Sequence, residues 1–337
     1  MGRFSEKGNL FFSRRGFGKG FIKLVRKAEQ EVIPPVHTDL IVSELTSDRF
    51  LRKTNNGGNE IYILNANNSP MVMREIGRLR EITFRDAGGG TGKDTDIDDF
   101  DTGENCFEQL IVWNPREMEI VGGYRYIAGN KIQVINGALN SPTGKLFRFS
   151  KNFIDEYLPG SIELGRSFVQ PNYQPAYNLR KGMYSLDNIW DGLGAVIVNN
   201  PEVRYFFGKI TMYPHYNRQA RNRVLYFLKR YFPDNEELAT PIEPLYTGMR
   251  TKDFDKLFSG STYEENYKIL VQEVRRLNEN IPPLVNAYMN LSSTMRTLGT
   301  AINHGFGEVE ETGIIVTIND INGAKKIRHL DSYRNGT

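Results

Sequence analysis

One cysteine, four histidines and two tryptophans in 337 residues leave little material for several kinds of chemistry. Cys106 by itself can form neither an internal disulfide nor a multi-cysteine zinc site, which suits a reducing compartment. His37, His215, His304 and His329 are far apart and show no metal-ligand spacing, so no metal centre is expected. No apolar run approaches the roughly 18–20 residues that cross a bilayer. The opening residues scatter charges among their apolar positions and lack the continuous apolar stretch and small-residue cleavage site of a secretory signal. A cytoplasmic protein that spans no membrane is expected. The 32 glycines follow no Gly-X-Y period, which excludes collagen, and no internal repeat is visible.

The charge that is present is unevenly placed. Net charge is only +3, yet residues 1–30 hold eight Lys and Arg against Glu6 and Glu29. These cations interleave with Phe4, Phe11, Phe12, Phe17, Phe21 and Leu24, a pattern that fits an arm lying on anionic lipid headgroups or one folded back on its own domain. No nucleic-acid motif accompanies them. A second basic stretch, residues 217–232, carries Arg218, Arg221, Arg223, Lys229 and Arg230 with no acid, while Val224, Leu225, Phe227, Leu228 and Tyr231 recur at helical spacing. It predicts a helix with one core face and one positive strip, the strip facing either an acidic partner or solvent.

Residues 86–108 reverse the sign, with eight carboxylates against Lys93 in a glycine-rich, polar loop. Its GGGTGK lacks P-loop spacing, and the carboxylates after it would repel phosphate; the EF-hand pattern is not met either. Around this loop the pattern predicts a first strand at 60–64, a helix after Pro70, strands at 107–113 and 120–128 joined by the turn-rich NPRE, a short helix at 149–157, and a strand at 161–170. Further on it predicts a helix over 179–198, a strand at 204–212, the basic helix, helices near 262–278 and 282–291, and a late strand at 313–318. That order implies an α/β fold, one central mixed sheet with helices on both faces.

Four segments carry a resemblance: Arg80 with Phe84 on the first long helix, the DIDDFD run 96–101, VGGYR ending at Arg125, and IELGRSFVQPNY over 162–173. Together they resemble the acyl-carrier-protein-dependent branch of the GNAT superfamily, which holds the N-acyltransferases of ornithine- and glycine-lipid synthesis, often labelled hemolysin-like, and the acyl-homoserine-lactone synthases. YFFGKITMYP (205–214) and IPPLVNAYMNL (281–291) resemble the aminolipid-forming members in particular. The lactone-forming members usually carry a Leu-Gly-Trp segment after the first helix; here Asp86-Ala87-Gly88-Gly89 occupies that region.

The charge pattern marks a basic N-terminal arm (1–37); the resemblance implies a GNAT-like domain with a splayed strand pair, set at 38–320 with a helical C-terminal extension that the lactone-forming members lack, and a tail follows (321–337). It implies an enzyme that moves a 3-hydroxy fatty acyl group from acyl carrier protein to the amine of glycine or ornithine, giving a one-chain aminolipid. No permanent cofactor is implied, the acyl-phosphopantetheine arm being a co-substrate. The alternatives are a lactone-type synthase consuming S-adenosylmethionine and a non-catalytic membrane- or carrier-binding protein on the same fold. Partners implied are acyl carrier protein, an amino acid and the inner membrane surface, on which the protein would lie peripherally.

By the same resemblance Glu163 and Arg166 are the catalytic candidates, Glu163 as general base on the attacking amine; ion pairing of Glu163 with Arg125 or Arg166 is the alternative. Three residues apart, they point to opposite faces of a regular strand unless a bulge intervenes, as Gly165 would permit. Arg80, Phe84, Asp98, Asp101 and Arg125 are expected at the amine-acceptor site, with a purely structural ion network pinning the acidic loop as the other possibility. Residues 170–182 lack the glycine pair with which acetyl-CoA-dependent relatives cradle a pyrophosphate. Arg180 and Lys181 would hold one phosphate there, and Arg218, Arg221 and Arg223 would dock the carrier. Cys106, in acidic surroundings, is a poor nucleophile. Tyr173 and Tyr177 would line an acyl tunnel or simply pack.

Overall fold

The structure, a computed structural model, describes residues 29–334. The basic arm therefore falls outside the described residues as far as position 28. Helix α1 (Thr38–Glu44) leads to β1 (Phe50–Lys53) and β2 (Glu60–Leu64). Helix α2 (Pro70–Asp86) follows, with Pro70 in its first turn, where a missing N–H breaks no helical bond. Strands β3 (Glu108–Asn114) and β4 (Glu119–Ala128) form the expected hairpin. After the short strands β5 (Val134–Ile135), β6 (Ala138–Leu139) and β7 (Phe147–Phe149) come β8 (Ser161–Val169), α3 (Leu179–Gly182), α4 (Ser185–Asn199) and β9 (Tyr205–Met212). The chain continues through α5 (Arg218–Tyr231), β10 (Ala239–Pro241), α6 (Thr251–Leu257), α7 (Tyr263–Arg275) and α8 (Pro283–Met289). It returns to the sheet as β11 (Arg296–Asn303) and β12 (Val309–Thr317).

Several expectations need amending. The first strand is β1, not residues 60–64, and β11 gave no warning because its polar, glycine-interrupted sequence does not alternate. The single helix expected over 179–198 is two, broken near Tyr184. The element expected at 149–157 is a five-residue helical turn, Phe153–Tyr157, preceded by a strand. The C-terminal extension is helical from α6 to α8 and then supplies two strands. Beyond it, residues 321–334 pack on α4, where His329 Nδ1 lies 2.8 Å from Asp191 Oδ1.

Among the described residues the main sheet has eight strands in the order β1-β2-β3-β4-β8-β9-β12-β11, antiparallel throughout except for the central β8–β9 pair. Register aligns Ile127, Glu163 and Phe207 on one face and Tyr126, Leu164 and Gly208 on the other. The Glu163 face is covered by α2, the acidic loop and a phenylalanine-rich core that includes Phe147, Phe149 and Phe153. The Leu164 face is covered by α4, α5 and the α7–α8 region, through Ile189, Leu193, Val224 and Phe227. Burying both faces makes central strands such as β3 and β4 almost continuously apolar.

Candidate active site

Strands β8 and β9 pair only from Ser161 with Tyr205 to Leu164 with Gly208. Past that rung β8 stays bonded to β4 as far as Val169, and β9 stays bonded to β12 as far as Met212, so the two central strands part. Gly208 marks the point of divergence. A Cβ there would stand 2.3 Å from the Leu164 carbonyl oxygen, so only glycine lets the strands touch before they separate. At the gap lies a cavity of about 560 Å³. Its walls include Glu163, Lys209 and Glu311 from one face of the sheet and Tyr124, Leu164, Leu186 and Tyr288 from the other. The cavity is therefore lined from both faces of the sheet.

Glu163 is 1% exposed. Its Oε1 accepts a hydrogen bond from the Thr143 backbone N–H at 2.8 Å, and its Oε2 is buried with no hydrogen-bond partner among the described residues. No ion pair joins it to Arg125 or Arg166 among those residues; both arginines are held elsewhere. A buried carboxylate oxygen without a donor is costly, which makes Oε2 a candidate for contact with a ligand.

Arg166 reaches the same cavity because the strand is irregular. Register against β4 runs from Arg125 with Gly165 to Gly123 with Phe168, so Arg166 and Ser167 together oppose Tyr124. Arg166 itself has φ +49°, a left-handed conformation rare outside glycine. The bulge falls at Arg166 rather than at Gly165, where it was expected. It returns the guanidinium to the Glu163 face, with Nε 2.8 Å from Asp96 Oδ2 and the charge 4.1 Å above the Phe306 ring.

Behind this wall stands a network of three arginines and three aspartates. Arg80 donates to Asp96 at 3.0 Å and to both Asp101 oxygens at 3.1 and 2.9 Å; Arg125 donates to Asp98 at 2.8 and 3.0 Å and to Asp101 at 3.0 Å. Burial alone would raise the Asp96 and Asp101 pKa values, but the adjoining guanidinium groups outweigh it and hold both below the ordinary carboxylate range. Burial likewise works against the Arg80 and Arg125 charges and is overcome by the aspartates, so both arginines titrate above their usual value. Of the residues expected around the acceptor, Phe84 and Arg125 line the cavity, whereas Arg80, Asp98 and Asp101 stand behind it. Asp96, which sequence reasoning passed over, is wholly buried and ties Arg80 to Arg166.

The cations assigned to phosphate and carrier are dispersed. Arg180 is exposed on α3, while Lys181 is paired with Glu117 at 2.8 Å. Arg218 is exposed at the start of α5, but Arg221 is buried against Glu310 and Arg223 lies 3.4 Å from Glu273. The expected strip is corrected on this point: Arg221 sits one turn before Val224 and Leu225, on the core stripe, a position the 3.6-residue period already marks.

Other side chains complete the cavity. The Tyr124 and Tyr288 hydroxyls approach to 3.5 Å, and burial raises both phenols, keeping them protonated donors at neutral pH. Tyr173 lines the wall and accepts from Asn114 at 3.1 Å, whereas Tyr177 lies outside it and donates to Asp86. The Cys106 thiol is pushed up by burial, which keeps it un-ionised.

Residues 79–181, from within α2 through α3, match the Acetyltransferase (GNAT) domain family. Over 305 residues, 90% of either chain, the protein is 55% identical to the glycine N(alpha)-acyltransferase of Bacteroides thetaiotaomicron. The chain belongs to this N-acyltransferase family. A second member, the glycine N(alpha)-acyltransferase of Phocaeicola vulgatus, is 52% identical over 305 residues, 90% of this chain and 94% of that one. Among solved structures, a CoA-dependent acyl-homoserine lactone synthase, BjaI, aligns over 83% of this chain and 89% of its own at 13% identity and a TM-score of 0.33. That is a distant likeness of fold and no more. An N-acyltransferase brings an acyl donor and an amine together, which calls for a site with room for both. No helix among the described residues is long and apolar enough to cross a membrane.

Proposed function

We propose that this N-acyltransferase takes a fatty acyl group, 3-hydroxylated as the family resemblance implies, from the phosphopantetheine thioester of acyl carrier protein and joins it to the amine of glycine. The carrying observation is Glu163 Oε2, without a hydrogen-bond partner among the described residues, in a cavity lined from both faces of the sheet. The acceptor enters on the Glu163 face. The thioester lies in the gap between β8 and β9, its acyl chain toward Tyr124, Leu186 and Tyr288. The free amine nitrogen attacks the thioester carbon and forms the carbon–nitrogen bond as its proton passes to Glu163; the carbon–sulfur bond then breaks and the thiolate takes that proton from Glu163, leaving as the thiol. Peptide groups on the parted strand edges supply the oxyanion contacts, each typically worth about 3 kcal/mol of barrier. Arg80, Asp96, Asp98, Asp101 and Arg125 act as positioning residues that hold Arg166 and the acidic loop.

The product is an N-acyl amino acid, a one-chain amphiphile whose natural destination is a membrane. Glycine comes from the two relatives, and the carrier donor from residues 170–182, where no glycine pair offers a pyrophosphate cradle and Arg180 is free to meet one phosphate. Arg218 and Arg180 are the exposed cations we assign to carrier docking. The decisive experiment offers the protein acylated carrier protein and acyl-CoA of equal chain length with glycine, ornithine and homoserine-forming S-adenosylmethionine in turn. Acylglycine from the carrier donor, with a rate that falls as salt rises, supports the proposal. Equal use of acyl-CoA would remove the carrier from it, and acylation of ornithine alone would replace the acceptor. Peripheral membrane association of the basic arm belongs to the same proposal and is checked by co-sedimentation of the full chain with anionic vesicles.

A further inference from the structure

Lys209 and Glu311, to which the family segments assign no role, form a buried ion pair on the cavity wall. Their side chains are 11% and 5% exposed, and Lys209 Nζ lies 3.2 Å from Glu311 Oε2. A buried pair of this kind contributes little net stability, since two apolar side chains of similar volume would serve the fold as well. Its place on a cavity wall calls for another reason.

The second observation is a shared peptide. Glu163 Oε1 accepts from the Thr143 N–H at 2.8 Å, and Lys209 Nζ donates to the Pro142 carbonyl at 2.9 Å. These are the N–H and C=O of one peptide unit, which point in opposite directions, so the carboxylate and the ammonium are set roughly 7 Å apart across it. Both project from the same face of the sheet, Glu163 beside Phe207 and Lys209 two residues further along β9. One Lys209 proton is donated to Pro142 and the charge pairs with Glu311, so of the three N–H groups at least one is left for the cavity that Lys209 lines. Glu311 is itself tethered by Asn303 Nδ2 at 3.0 Å and Thr211 Oγ1 at 3.4 Å, so the ammonium is held on a rigid mount.

We infer that Lys209 anchors the carboxylate of the acceptor while the free oxygen of Glu163 receives its amine, so that the site selects α-amino acids over simple amines. A small amino acid with one hydrogen bond at each end spans about the distance between the two groups. The inference rests on the proposed function and adds to it which end of the acceptor is read, and by what.

The test compares glycine with glycinamide, which lacks the carboxylate and has the less protonated amine. Wild-type protein is expected to prefer glycine strongly in kcat/KM. Lys209→Gln, which keeps an N–H for Pro142, is expected to raise KM for glycine about ten- to hundredfold, the loss of one charged hydrogen bond. Its KM for the acyl thioester should stay within about twofold, and its preference for glycine over glycinamide should collapse. Equal wild-type use of glycinamide, or an unchanged glycine KM in Lys209→Gln, overturns the anchor. Glycine titrated against both proteins by NMR reads the same contact without turnover, also where the variant is weakened. A wild type that acylates amines but never glycine refutes the proposed function, whereas one that acylates glycine regardless of Lys209 refutes this inference alone.

Discussion

Glu163 and Arg166, three residues apart on one strand, line the same cavity because the chain between them bulges and Arg166 turns left-handed. A regular strand would have placed the arginine among the helices on the opposite face. The bulge thus gives one cavity both a carboxylate oxygen without a partner among the described residues and an arginine whose charge is balanced by Asp96.

Glu163→Gln keeps the acceptor for the Thr143 N–H and removes the base. Turnover should fall by about 10²–10⁴ while the urea midpoint moves little. Steady-state kinetics beside a denaturation curve checks both halves. Undiminished turnover would take Glu163 out of the chemistry.

Asp101→Asn acts on the fold first. Asp101 receives buried hydrogen bonds from Arg80, Arg125 and Gln109 and a part-buried one from the Asp98 N–H. Losing its charge leaves two buried guanidinium groups under-compensated, at a cost of about 3–5 kcal/mol. Chemical denaturation measures this directly. A variant of wild-type stability with an altered glycine KM would instead show that Asp101 meets the acceptor.

The pH dependence of stability follows from the same aspartates. Their folded-state pKa values are depressed, so their contribution is complete above the unfolded value of about 3.9 and is lost as pH falls through the folded values. The urea midpoint should therefore hold from neutrality down to about pH 5 and drop below about pH 4. A maximum at acidic pH would contradict the network.

Gly208→Ala tests the divergence point. The added carbon would collide with the Leu164 carbonyl, a backbone atom that cannot swing aside. We expect a loss of about 1–3 kcal/mol and a larger change in the thioester KM than in the glycine KM. Equal effects on both substrates would argue that the gap does not hold the thioester arm.

Much of the site was legible before any coordinates. Glu163, Arg166, Arg125 and Phe84 were named from motif segments, and all four line the cavity. Lys209 lies within the 205–214 segment and Glu311 outside the family segments, and nothing local says that β9 and β12 are neighbours, so their pairing is not legible in the sequence. Arg221 lies on the core stripe of α5, where its spacing from Val224 places it, and its charge is met there by Glu310.

From the residues alone come the long amphipathic helices, the apolar central strands, and the charged segments that mark the family. These depend on neighbours within a few positions, where periodicity and turn chemistry operate. Which strands part, which aspartate faces which arginine, and which carboxylate keeps an unpaired oxygen depend on contacts between residues far apart in the chain. Packing alone settles those, because burial decides whether a charge is spent on a neighbour or left for a substrate.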